Sequence, residues 1–253
     1  VSYDGLYGAT DPNVNGVPKM LTPQEQAEWT HVAYRNNATA NGTAPAYTHP
    51  QYGNSATASL PDYLHANGQN GVRGTIDRAA IDAAQAASPL TTFLIRPNLA
   101  GTNWYDEITR LGQLSRHSLG FSGGTDKSRF YVSLAAQNQQ GILKYNDFAR
   151  YSTRVNSEYD LGKKVRIGQN FQMTYRSVNG AIGGSGGIGV ADDESVILSA
   201  YRMPSVIPVY DEYGQFASTR AAGFNNPRNP LREREYNAKG DRSFFLGGMG
   251  NLY

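Results

Sequence analysis

The chain has 253 residues, 23 of them basic and 21 acidic, for a formal net charge of +2. That balance leaves no basic footprint for nucleic acid, and the absence of cysteine excludes a disulfide framework, thiolate metal sites and cysteine catalysis. No run approaches the roughly 18 apolar residues of a membrane-spanning helix, whereas a membrane β-barrel stays open because its strands need only alternate.

In chain order, residues 1–8 (VSYDGLYG) alternate as a short strand with Tyr3 and Tyr7 on one face. A long segment follows, 9–113, rich in Pro, Asn, Gly and Ala. Near its start Asp11, Asn13 and Asn15 have the spacing of the first half of a calcium loop, but the twelfth position is Thr22 rather than Glu. An Asx-turn loop is the plainer reading. Thr22-Pro23-Gln24-Glu25 has the form of a capped helix start, with Pro at the first position and Glu at the third. The helix is expected to run to about Tyr34 and to bury Trp29. A second helix is expected from about Thr75 to Ala87, ended by Ser88-Pro89.

The word NWYDEITR, from Asn103, reads as strand. Trp104 and Tyr105 could there stack on a sugar or join an aromatic belt at a membrane surface. Alternating strands are expected near 114–122, 128–138, 148–159 and 165–177. Gly123-Gly124-Thr125-Asp126 and Leu161-Gly162-Lys163-Lys164 are expected as tight turns, with a middling loop at 139–146. On the last two strands Arg150, Ser152, Arg154, Asn156 and Glu158 oppose Tyr151, Thr153, Val155 and Tyr159, and Arg166, Asn170, Gln172, Thr174 and Arg176 oppose Val165, Ile167, Phe171, Met173 and Tyr175.

A second long segment spans 178–240. Its Gly184–Gly189 stretch fits a dinucleotide fingerprint, but the preceding strand belongs to an antiparallel series without a βαβ repeat, so a flexible loop is the better reading. Asp192, Asp193 and Glu194 suit the start of a helix reaching Tyr201. Asp211-Glu212-Tyr213-Gly214 reads as a turn, and Tyr210, Tyr213 and Phe216 are the candidate ligand or lid contacts. A final strand is expected at 242–253. His31, His49, His65 and His117 lack ligand spacing and read as surface residues rather than a metal site. No catalytic set and no cofactor site emerge.

Alternation alone fits a half-exposed soluble sheet as well as a membrane barrel. The order of connections, short turns at one end and long segments at the other, is what a barrel with short periplasmic turns and long outer loops would show. The words VSYDGLYG, NWYDEI, HSLGFSGGTDKSRFYVSLAAQNQQGILK, FARYSTRVN, RIGQNF and IPVYDEYG, in that order over residues 1 to about 215, resemble the SusC/RagA family of TonB-dependent outer-membrane transporters.

That resemblance implies an all-β fold: about six strands of an antiparallel transmembrane barrel of about 22 strands, with long extracellular loops containing short helices. It implies the outer membrane of a Gram-negative cell, and a chain cut after a plug domain, without a TonB box or the closing strands. It implies TonB-dependent import of glycans or oligopeptides with a SusD-like surface lipoprotein. The expected partners are that lipoprotein, the TonB complex acting through the missing N-terminal region, lipid, the rest of the barrel and the substrate. A passive porin-like channel and a soluble β-rich glycan-binding module are the alternatives.

Overall fold

A computed structural model describes residues 1–13, 17–65, 70–180, 196–217, 221–224, 228–237 and 240–252. In chain order the elements are β1 (Ser2–Thr10), α1 (Pro23–Asn41), β2 (Leu64–His65), α2 (Arg78–Ala87), β3 (Leu94–Ile95) and α3 (Trp104–Ile108). These are followed by β4 (Gly112–Thr125), β5 (Ser128–Gln140), β6 (Asp147–Leu161), β7 (Val165–Asn179), α4 (Val196–Arg202), α5 (Pro230–Asn237) and β8 (Gly240–Leu252). The chain divides into two units, one of residues 1–15, 109–184 and 235–253, the other of residues 16–108 and 185–234.

The first unit is one antiparallel sheet in the order β1-β4-β5-β6-β7-β8. Directly opposed residues in such a ladder share a face. The register sets Leu119 beside Leu134, Thr153, Met173 and Leu246, and Phe121 beside Val132, Val155 and Phe171. The opposite face collects Arg116, Gln137, Arg150 and Arg176 in one row and Ser122, Tyr131, Asn156 and Asn170 in another. Among the described residues of this unit no second layer covers the apolar face, and Phe121, Phe130, Leu134, Phe171 and Met173 are exposed on it. An apolar sheet face that its own unit leaves uncovered suits lipid as its solvent.

On β6 the apolar-face span from Tyr151 to Tyr159 is about 27 Å along the strand. At the usual barrel tilt that is about 20 Å along the membrane normal, close to the apolar band of such barrels. Tyrosines close both ends of that span, as interfacial aromatics do.

The connection from β4 to β5 is the two residues Asp126 and Lys127, with Thr125 paired to Ser128. The expected Gly-Gly-Thr-Asp turn is therefore corrected: Gly123 and Gly124 belong to β4. The Phe130 ring lies over Gly123, where a Cβ would come within 2.8 Å of it, so the glycine makes room for a cross-strand aromatic. Between β6 and β7 the turn is Gly162, Lys163 and Lys164, with Gly162 at φ +76°, a conformation that costs glycine nothing.

The second unit draws on both long segments. Helix α1 begins with the expected capping box, Thr22 and Glu25 bonding reciprocally. It runs a full 19 residues before Gly42 ends it in the left-handed conformation, since nothing in Arg35–Asn41 stops a helix. Its buried face carries Ala27, His31 and Ala38. Trp29 is 61% exposed; two residues from Ala27, it falls off that face, which corrects the expectation of a core residue. Helix α2 starts one residue after its cap Asp77, whose side chain accepts from the Ala80 amide.

The two segments are bonded to one another. Asn98 N–H donates to Val206 O at 2.9 Å, Thr102 N–H to Ser205 O at 2.8 Å, and Glu212 N–H to Leu94 O at 2.8 Å. Leu64, Leu94, Ile95, Trp104, Ile108, Met203, Val206 and Ile207 are buried. The loops of the linear sequence thus form a unit with its own core. The Gly184–Gly189 stretch and Asp192–Glu194 lie outside the described residues.

The two faces give a direct test. In the full-length barrel, Val132→Arg on the apolar face is expected to destabilise by about 2–4 kcal/mol, and Ser133→Arg on the polar face by far less. Unfolding in detergent micelles, read by heat-dependent gel mobility, measures both, and equal losses would reverse the assignment of faces.

Candidate functional site

In the second unit Val209–Ala217 is a small hairpin held by its own polar groups. The Ala217 amide donates to Val209 O, and Tyr210 bridges Phe216, with ring centroids 5.1 Å apart. Asp211 organises the tip: its Oδ1 accepts from the Tyr213 and Gln215 amides at 2.9 and 2.8 Å. Burial pushes the Asp211 carboxyl above the usual carboxylate range, against the pull of those amides. Gly214 takes φ +76°, as the turn expected from the sequence requires. Asn229 fixes the hairpin to α5. Its amide nitrogen donates to Val209 O and Ala217 O, and its oxygen accepts from the Leu231 and Arg232 amides.

The three aromatic candidates on this hairpin part company. The Tyr213 hydroxyl donates to Asp82 Oδ1 at 2.7 Å, and the Arg78 guanidinium lies 5.2 Å from the Tyr213 ring centroid. Arg78 also pairs with Asp82 at 2.7 Å, while Glu212 meets Arg96 at 3.2 Å. The Tyr213 bond and then Arg78 hold the Asp82 carboxyl below its ordinary range. Tyr213 is therefore spent on a clasp between the hairpin and α2. Tyr210, 49% exposed, presents its ring outward with Phe216 behind it.

Trp104 and Tyr105 are corrected on two counts. They lie on helix α3, not on a strand, and both are buried. The spacing Trp104, Tyr105, Ile108 puts all three on one helical face. Trp104 Nε1–H donates to Pro204 O at 3.2 Å, and the Tyr105 ring stacks on Tyr201 at 5.9 Å. Trp104, fully buried, is a core residue and offers no platform for lipid or sugar.

Asp11 Oδ1 accepts from the Asn13 amide at 2.9 Å, an Asx-turn, while Asn15 lies outside the described residues. No group of three or more metal-ligating side chains occurs among the described residues.

The reading of the histidines as surface residues is corrected for two of them, since His31 and His49 are buried. The His49 ring stacks on Tyr52 at 4.1 Å. Its Nε2 donates to Gly223 O at 3.1 Å and its Nδ1 accepts from the Gln51 amide at 3.2 Å, which selects the neutral tautomer. His117 is exposed and bonds the Tyr3 hydroxyl at 2.8 Å.

On the polar face of the sheet, register brings together residues that sequence reading left as separate strand positions. Arg150 and Arg176 are directly opposed, Arg116 lies in the same row beyond Gln137, and Arg154 is one same-face step beyond Ser152. The signal available in the sequence was arginine at alternate positions of successive strands; only the pairing aligns them.

A two-faced, six-stranded sheet of this kind is a wall of an outer-membrane β-barrel. No family model matches the chain. It is 31% identical over 117 residues to TonB-dependent receptor P3 of Formosa agariphila, covering 46% of this chain and 12% of that protein. TonB-dependent receptor P39 of the same organism is 30% identical over 140 residues, 55% of this chain and 12% of its own length. TonB-dependent receptor SusC of Bacteroides thetaiotaomicron is 25% identical over 179 residues, 59% of this chain and 16% of SusC.

The chain thus spans less than a fifth of the length of these relatives. Among solved structures, the RagAB peptide importer in its open-open state matches with a TM-score of 0.55 at 17% identity, over 99% of this chain and 25% of that one. The chain resembles a stretch of a SusC/RagA-like TonB-dependent receptor barrel, and its place is the Gram-negative outer membrane.

Burial depresses the His49 pKa below the ordinary 6.5, with nearby His31 adding to the effect and the Gly223 bond opposing it. Its stabilising contribution is therefore complete above pH 6.5 and falls as the pH drops below that value. Amide exchange of residues 49–60, corrected for the intrinsic pH effect, is expected to accelerate severalfold between pH 7.5 and 5, and the His49→Gln variant to lose most of that acceleration.

Proposed function

We propose that this chain forms part of the wall and outer mouth of a TonB-dependent importer of oligomeric nutrients, glycans or oligopeptides. It would work with a SusD-like lipoprotein over the mouth and the TonB complex coupled through a plug. The observation that carries this reading is the sheet itself, lipid-compatible on one face and polar on the other. Its likeness to TonB-dependent receptors over about half of the chain supports the reading.

Short turns at one end of the sheet and long connections at the other support the orientation of such barrels, with short periplasmic turns and long outer connections. Passage through such a wall is binding and gating, with no covalent step. The outward ring of Tyr210, backed by Phe216, is the surface offered to the lipoprotein or the substrate.

Deletion of the full reading frame is expected to abolish uptake of at least one class of labelled oligosaccharide or oligopeptide in cells. Dissipating the proton gradient should stop uptake by the wild type. Uptake that persists without the gradient would instead describe a passive channel. Tyr210→Ala is expected to reduce recovery of the lipoprotein with the detergent-extracted receptor several-fold while barrel stability is kept. Unchanged recovery together with unchanged uptake would remove Tyr210 from the contact.

A further inference from the structure

The polar face of β4–β7 is not uniformly neutralised. Near the short turns its arginines have acidic neighbours: Arg166 forks Asp160 at 2.6 and 3.2 Å, and Arg129 lies opposite Glu158. Toward the end where the long segments leave the sheet, Arg116, Arg150, Arg154 and Arg176 gather within three rows. Arg176 reaches Asp241 at 3.4 Å. Among the described residues no carboxylate pairs with Arg116, Arg150 or Arg154. The one other acid on these rows is Asp4, on β1.

Like charges directly opposed across a ladder are destabilising, and Arg150 with Arg176 is such a pair. The whole chain carries only +2, so composition does not account for the cluster. A concave wall of one sign concentrates counter-charged solutes, and guanidinium groups match carboxylate and sulfate oxygens in fixed geometry.

One row further toward the turns, Tyr131, Asn156 and Asn170 line a shallow groove with Arg129, Glu158 and Asn251. Tyr131 exposes its ring, and Asn156 Oδ1 is buried with no hydrogen-bond partner. Carboxamides supply both a donor and an acceptor to a hydroxyl, and an exposed tyrosine ring supplies a flat amphipathic surface. Between Arg129 and Gln139 on β5, Arg150 and Glu158 on β6, and Arg166 and Arg176 on β7, the one aliphatic side chain on this face is Ala135. Apolar side chains on this face stand at its margins, with Leu6 opposite Arg116, Phe148 opposite Val178, and Phe245 and Met249 opposite Thr174 and Asn170, so across β5–β7 the groups offered are mainly guanidinium, carboxamide and hydroxyl.

We propose that this face is a binding track for anionic oligosaccharides. Arg116, Arg150, Arg154 and Arg176 take carboxylate or sulfate groups, and Tyr131 with Asn156 and Asn170 takes a sugar ring. The inference rests on the chain being an importer wall, with this face toward the lumen.

The test uses the purified full-length receptor in detergent and matched hexamers: oligogalacturonate with its methyl ester, and a sulfated oligosaccharide with its desulfated form. The wild type is expected to bind the charged member of at least one pair about tenfold more tightly, a preference that shrinks as salt is raised. The Arg150→Gln/Arg154→Gln double variant should lose that preference, the Arg150→Lys/Arg154→Lys variant should keep most of it, and Tyr131→Ala should weaken both members of the pair alike. Heat-dependent gel mobility verifies that each variant is a folded barrel.

Equal binding within every pair, or a preference that survives the double Gln substitution, overturns the track. Hexaglutamate bound as tightly, and lost in the same variant, would overturn it in favour of acidic peptides. Energised uptake of any oligomer by wild-type cells, measured separately, keeps the importer reading intact whichever way the binding falls.

Discussion

Everything in the first unit depends on one constraint: in hydrocarbon, each backbone N–H and C=O must find its partner in the protein. An antiparallel ladder does this between neighbouring strands, and the continuous register from β1 through β8 is that solution over six strands. It leaves the outer edges of β1 and β8 for further strands, because six strands are too few to close a membrane barrel. The same ladder forces alternation. Once Val132 faces lipid, Ser133 must face inward, and every opposed residue on β4, β6 and β7 follows. The two-residue turn at Asp126 and Lys127 and the three-residue turn at Gly162 keep neighbouring strands in step at one end, so the long segments are confined to the other.

The second unit answers a different physical problem. Its backbone has no long ladder, so its polar groups are satisfied by side chains and by pairings between segments far apart in sequence. Asn229 alone makes four such bonds, two to the hairpin at Val209 and Ala217 and two to α5. His49 Nε2 and Gln51 Nε2 both donate to the 221–224 stretch, at Gly223 O and Ala222 O. The clasp of Arg78, Asp82, Tyr213 and Glu212 is solvent-exposed. Exposed ion pairs contribute little energy, but this one fixes where the hairpin lies on α2.

The wall was legible in the sequence because a strand's two faces are written with period two. Leu119, Phe121, Phe130, Val132, Leu134, Tyr151 and Val155 declare their side without any knowledge of their neighbours. The capping box at Thr22 and Glu25 was legible for the same reason, being local within four residues. Trp104 and Tyr105 were misread because an adjacent aromatic pair in a short word suits a strand edge as well as one turn of helix. Their burial against α4 and Pro204, 100 residues away in the chain for the Trp104 bond, decided for helix. Trp29 was misread as core because an aromatic on a short helix usually finds a cover, whereas the buried face runs through Ala27 and His31.

The sequence by itself determined that this is alternating, two-faced β-structure with long connections at one end, and its ordered words pointed to SusC/RagA-like barrels. Both kinds of information are local, since side-chain polarity and turn chemistry act within a few residues. The tertiary structure alone decided which residues stand next to one another. It set Arg116, Arg150 and Arg176 in one row, tied Tyr213 to α2 while leaving Tyr210 outward, and buried His31 and His49. Those outcomes depend on strand register and on contacts between distant segments, and register is a property of pairs of strands that no single strand carries.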